Sequence, residues 1–165
     1  MRIRSVTVGA GSAEAVVVFE DGEPLRTADA PLARERLLRV APGLRGHSCD
    51  NDRDARFSDE LADTEVAHAI EHVALEVMVL AGSPDRLRGE TSWDFACDGR
   101  GVFRVRLDYD DDLVCVGALR VACAAVRWAM DDPGAGDAPD VAAEAASLAE
   151  LRRWPVAHEA PPSAI

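Results

Sequence analysis

From about Asp59 to Ala81 the sequence reads as one long, strongly apolar helix, stopped by Gly82-Ser83-Pro84. Val66, Ala69, Ile70, Val73, Ala74, Val77 and Met78 fill most of its wheel at about 100° per residue. A helix that is apolar over so much of its circumference needs protein on nearly every side. The remaining chain must therefore wrap around it. Ser58, just ahead, is a suitable N-cap.

What remains polar on this helix is a narrow seam. With His68 at zero, His72 lies about 40°, Glu65 about 60° and Glu76 about 80° to one side, and Thr64 about 40° and Glu71 about 60° to the other. The seam holds no arginine, although arginine supplies every basic residue of the chain. A solvated helix face usually mixes charge signs in i,i+4 pairs. Two histidines at i and i+4 stand one above the other and can share one zinc ion, with a neighbouring glutamate activating water. His68-x-x-Glu71-His72 is the inverzincin order of the zinc-peptidase motif. It predicts His68 and His72 as metal ligands and Glu71 as general base. Glu76 is the nearest candidate for the third ligand. His47 and Cys49, in the loop upstream, are further candidates, either as ligands or as substrate contacts. An acidic face carrying incidental histidines is the competing reading of the same residues.

The flanking sequence supplies the wrapping. Residues 2–9 and 14–20 are two β-type runs with the turn residues Gly9, Gly11 and Ser12 between them, which predicts a hairpin. A helix is expected from Pro31 to about Val40, closed by Pro42-Gly43, and a polar loop over 45–57. Two more strands are expected at Glu90–Cys97 and Val102–Tyr109, then a helix from about Leu113 to Met130 with acidic residues at its start. Trp93 and Phe95 are expected to pack in the core, with contact to a ligand as the alternative. The order ββ-α-α-ββ-α predicts an α+β fold, with an antiparallel sheet of about four strands and helices on one face. Residues 1–132 are read as the domain, and 133–165 as a linker, a weak Ala-rich helix and a flexible tail.

Composition narrows the function. A formal net charge of -12 argues against nucleic acid and anionic membrane as partners. No apolar run reaches transmembrane length and no signal peptide is evident, so a cytoplasmic location is expected. The four cysteines form no C-x-x-C pair and are expected as free thiols.

The run His68-Ala69-Ile70-Glu71-His72-Val73-Ala74-Leu75-Glu76, with Ala81-Gly82 after it, resembles the N-terminal domain of cyanophycin synthetases. Pro42-Gly43-Leu44-Arg45-Gly46-His47-Ser48-Cys49 upstream is similar to the same domain, as are Gly89-Glu90-Thr91 and the 102–109 strand downstream. The resemblance spans roughly residues 1–131. It implies a peptidase-like or polymer-binding role on an Asp-Arg polymer, without the ATP-grasp and ligase domains that a synthetase needs. Ser92 stands where the family tends to carry Arg, and residues 50–54 are acidic where the family is Gly-rich. The expected activity is zinc-dependent hydrolysis of a peptide or isopeptide bond. The alternative is a non-catalytic binding module for an arginine-rich polymer or a partner protein.

Overall fold

A computed structural model describes residues 1–49, 56–131 and 136–152. Parts of the expected polar loop and linker, and the tail from residue 153, lie outside the described residues. The elements are β1 (Arg2–Val8), β2 (Ser12–Val18), α1 (Ala33–Val40), α2 (Phe57–Glu60), α3 (Val66–Leu80), β3 (Gly89–Ser92), β4 (Val102–Asp108), α4 (Asp112–Ala129) and α5 (Val141–Arg152). Short 3-10 turns occupy Thr27–Asp29 and Pro42–Gly46. The fold is α+β, as expected. Its four strands form one antiparallel sheet in the order β1-β2-β4-β3.

Strand alternation decides which face is covered. Ala13, Ala15 and Val17 of β2 and Phe103, Val105 and Leu107 of β4 are buried beneath the helices. Between them, Glu14 and Arg104 point the other way and meet at 3.1 Å. α3 and α4 lie side by side on the apolar face, with α1 and α5 outside them. Val66, Ile70, Val73, Val77 and Met78 are almost wholly removed from water, so α3 has the central position its sequence requires. α5 docks through Val141, Ala145 and Leu148, and Gly117 of α4 leaves the space that Leu148 fills.

The expected helix over Asp59–Ala81 is broken. α2 ends at Glu60 and α3 begins at Val66, with Glu65 at its N-terminus. The intervening chain is drawn into extended pairing with residues 25–27. Thr27 N–H donates to the Thr64 carbonyl at 2.9 Å, Thr64 N–H to Thr27 Oγ1 at 3.0 Å, and Val66 N–H to the Leu25 carbonyl at 2.8 Å. Arg26 adds ion pairs to Asp63 and Glu65. This pairing takes the place of the intrahelical bonds that a continuous helix would make and satisfies the backbone of both segments.

The third strand is also shorter than expected, ending at Ser92. Trp93 and Phe95 lie beyond it and pack against Phe103 with ring centroids 5.7 and 5.4 Å away. Neither is a core residue: Trp93 is 47% exposed and Phe95 37%.

Candidate metal centre

The break before α3 places Thr64 one turn ahead of His68. Thr64 Oγ1 lies 2.8 Å from His68 Nδ1. One turn further along, His72 Nδ1 is 3.1 Å from His47 Nδ1, and His47 Nε2 is 3.1 Å from Glu76 Oε2. Both α3 histidines are thus gripped at Nδ1, leaving Nε2 to point into the cleft. The two Nε2 atoms stand 3.1 Å apart. Phe57 stacks on the His72 ring at 3.7 Å between centroids and fixes its plane.

A sulfur completes the group. Cys49 Sγ lies 3.5 Å from His72 Nε2 and 3.9 Å from His68 Nε2. Among the described residues, Cys49, His68 and His72 form one group whose ligand atoms all lie within 4.8 Å of each other. The trio can be tested against the ion that such donors prefer. Zn–N bonds of ~2.0–2.1 Å and Zn–S bonds of ~2.3 Å at tetrahedral angles put two nitrogens about 3.3 Å apart, and sulfur and nitrogen about 3.6 Å apart. The two S–N separations bracket their value, the N–N separation of 3.1 Å falls slightly short of its own, and the donors suit zinc.

This set differs from the one expected. Cys49 stands in the group and Glu76 does not, because His47 engages the Glu76 carboxylate. His47, expected as a ligand or a substrate contact, bridges Glu76 and His72. Such a carboxylate–histidine chain orients a ligating imidazole and raises its basicity.

Glu71 projects from α3 on the other side of His72. Its Oε1 is 4.0 Å from His72 Nε2, and its Oε2 accepts a 2.6 Å hydrogen bond from Thr91 Oγ1 on β3. Two glycines make room for the carboxylates. A Cβ at Gly89 would sit 2.5 Å from Glu71 Cγ, and one at Gly43 would sit 1.9 Å from Glu76 Oε1.

The electrostatics follow from burial. Desolvation pushes the Cys49 thiol up to about 12, reinforced by Glu60. It holds His68 below its usual range and takes His72 down to about 2, aided by the neighbouring His68 and His47. Both rings are therefore neutral, the form that ligates metal. Glu71 is raised from 4.5 to about 7 by desolvation, partly offset by the Thr91 hydrogen bond. A cation among these groups would draw Cys49 to its thiolate.

The group opens into a cleft of about 1570 Å³. Its lining includes Arg26, Asp59, Glu60, Asp63 and Glu65, together with Asp85, Arg86, Arg88 and the residues of β3. Thr64, Phe57, Gly43 and Gly89 were not singled out for these roles from the sequence. Thr64 alone carried a signal, lying on the polar seam one turn before His68.

Comparison with protein families fits this arrangement. The family model for the cyanophycin synthase-like N-terminal domain matches residues 15–131. The chain belongs to that family. No curated protein matches the sequence significantly. In this member of the cyanophycin synthase-like N-terminal domain family, the matched stretch contains every residue of the candidate centre, from Gly43 to Thr91. α5 lies beyond the match yet packs on α4 and α3. No described helix is long and apolar enough to cross a membrane.

Proposed function

We propose that this domain is a zinc-dependent hydrolase of a peptide or isopeptide bond, such as those of an Asp-Arg polymer. The observation that carries the reading is the convergence of Cys49 Sγ with two imidazole Nε2 atoms whose Nδ1 atoms are already held by Thr64 and His47. In a metal-free protein, a run of protons from Thr64 through His68, His72 and His47 to Glu76 satisfies every group. Reversing the Thr64 hydroxyl and moving the His68 proton to Nδ1 frees both Nε2 lone pairs, giving up the His68–His72 hydrogen bond and keeping the Thr64 and His47 contacts. Three protein ligands facing an open cleft is also the pattern of a catalytic rather than a structural zinc site.

Zinc held there supplies Lewis acidity at a scissile carbonyl. Glu71 takes a proton from the attacking water as the C–O bond forms, and returns it to the amine as the C–N bond breaks. Thr91 holds the carboxylate in place for both transfers. The inverzincin-like order His68-x-x-Glu71-His72 supports the same roles. A second reading, a binding module without catalysis, draws on the exposed Trp93–Phe95 pair, of which Trp93 lines the cleft.

Zinc content separates these readings, measured on protein purified without added metal. Wild type should carry close to one equivalent, and Cys49→Ala and His68→Ala far less; equal, negligible zinc in all three would sink the proposal. Incubating zinc-loaded protein with β-Asp-Arg polymer should release fragments, and Glu71→Gln should slow that release by about 10²–10⁴-fold.

A further inference from the structure

β3 is the outer strand of the sheet among the described residues, and its residues line the cleft. The phase of the ladder shows which backbone groups lie on its outer edge. Asp108 N–H donates to the Arg88 carbonyl at 2.8 Å, so Arg88 and Asp108 form a hydrogen-bonded pair. On the other side of β4, Tyr109 N–H donates to the Gly11 carbonyl and Phe19 N–H to the Gly101 carbonyl. Even-numbered β4 residues therefore serve β3 and odd-numbered ones serve β2. With the register Gly89↔Leu107, Glu90↔Arg106, Thr91↔Val105 and Ser92↔Arg104, Glu90 and Ser92 are turned to β4. Gly89 and Thr91 turn their N–H and C=O outward, and no backbone bond among the described residues closes that edge.

The same two residues touch the base from the inner face. The Thr91 hydroxyl holds Glu71, and the missing side chain of Gly89 leaves room for it. The opposite edge of the sheet is defended differently. β1 has a register shift between Ile3 and Ser5 and carries Arg2 and Arg4, the usual devices that keep an edge from pairing.

We propose that the substrate's main chain binds as an added β-strand on the outer edge of β3, pairing with the backbone of Gly89 and Thr91. This deepens the hydrolase reading and rests on it for the cleavage step alone. The substrate class it names is an extended polypeptide backbone, read through main-chain hydrogen bonds rather than through one side chain. The geometry ties docking to chemistry, because Thr91 offers its backbone to the substrate and its hydroxyl to Glu71. The chain's formal net charge of -12 favours a strand carrying cationic side chains.

The test is amide hydrogen exchange by NMR on metal-free protein, with a short alternating Ala/Arg peptide as probe. Glu90 and Ser92 amides should already be protected. Gly89 and Thr91 amides should exchange freely without peptide and slow by about tenfold or more with it. A peptide N-methylated at alternate residues keeps one pairing edge and should retain the effect, whereas one methylated at every amide should lose it. Thr91→Val, which keeps the backbone, should still show peptide-dependent protection at 89 and 91. Failure of Gly89 and Thr91 to slow, equal protection by the fully methylated peptide, or protection that rises with protein concentration in the absence of peptide would each overturn the proposal. The last result would place a second copy on the edge. Because the measurement uses no metal, its failure leaves the zinc assay untouched, and a negative zinc assay leaves the edge untouched.

Discussion

Glu71→Gln should change how the stability of the metal-free protein depends on pH. The wild-type carboxyl is 5% exposed and lies beneath Gly89 and Thr91. Its folded pKa, about 7, is above the value of 4.5 for the free group. A group shifted in that direction contributes stability that is fully present below the unfolded pKa and is lost as pH rises through the folded one. The shift corresponds to about 3 kcal/mol, at about 1.4 kcal/mol per pKa unit. Glutamine keeps the shape and does not titrate. His68 and His72, held neutral by burial, weaken the fold as pH falls below the usual histidine range, but they do so in both proteins and cancel in the difference. Urea denaturation in the presence of chelator, in steps from pH 4 to pH 8, gives that difference directly. The variant should gain on the wild type by about 3 kcal/mol, most of it between pH 4.5 and pH 7. A difference that stays constant to within about 0.5 kcal/mol would mean that Glu71 is hydrated and charged throughout. It would then lack the near-neutral pKa that suits a general base.

Three other changes test the supports of the site. Glu76→Gln weakens the hold on His47 and hence on His72, and should lower zinc affinity by about 10–100-fold without abolishing binding, as read by competition with a chelating dye. Gly43→Ala places a methyl against the Glu76 carboxylate and should lower zinc affinity in the same direction, with the fold intact by circular dichroism. Gly117→Ala puts a Cβ 2.3 Å from Leu148 Cδ2 and should cost about 1–3 kcal/mol in thermal or urea unfolding while leaving metal content unchanged.

The parts of the molecule that the sequence made legible are those governed by local period. β4 alternates over most of its length because one face is covered, and α3 is apolar nearly all round because it is central. His68 and His72 were readable as a pair because i,i+4 spacing alone brings them together. The break after Glu60 was not legible, because its cause is pairing with residues 25–27, far away in the chain. Trp93 and Phe95 imitate the alternation of a strand, so β3 was drawn too long. Cys49 and Glu76 were both candidates for a third ligand. It is Cys49 that lies within reach of both Nε2 atoms, a closeness set across a folded loop that spacing along the chain does not carry. His47, which occupies Glu76, was in view without its role being assignable.

The separation of these residues along the chain bears on the order in which the site can be assembled. Cys49, His68 and His72 lie within a short stretch, and their partners His47, Phe57, Thr64 and Glu76 come from the same stretch. Thr91 arrives later in the chain and reaches Glu71 only when β3 has paired with β4. During synthesis the ligands emerge before the strand that seats the base. The Cys49, His68 and His72 group is thus a product of the first half of the chain, whereas the seating of Glu71 by Thr91 waits for an edge strand that emerges later.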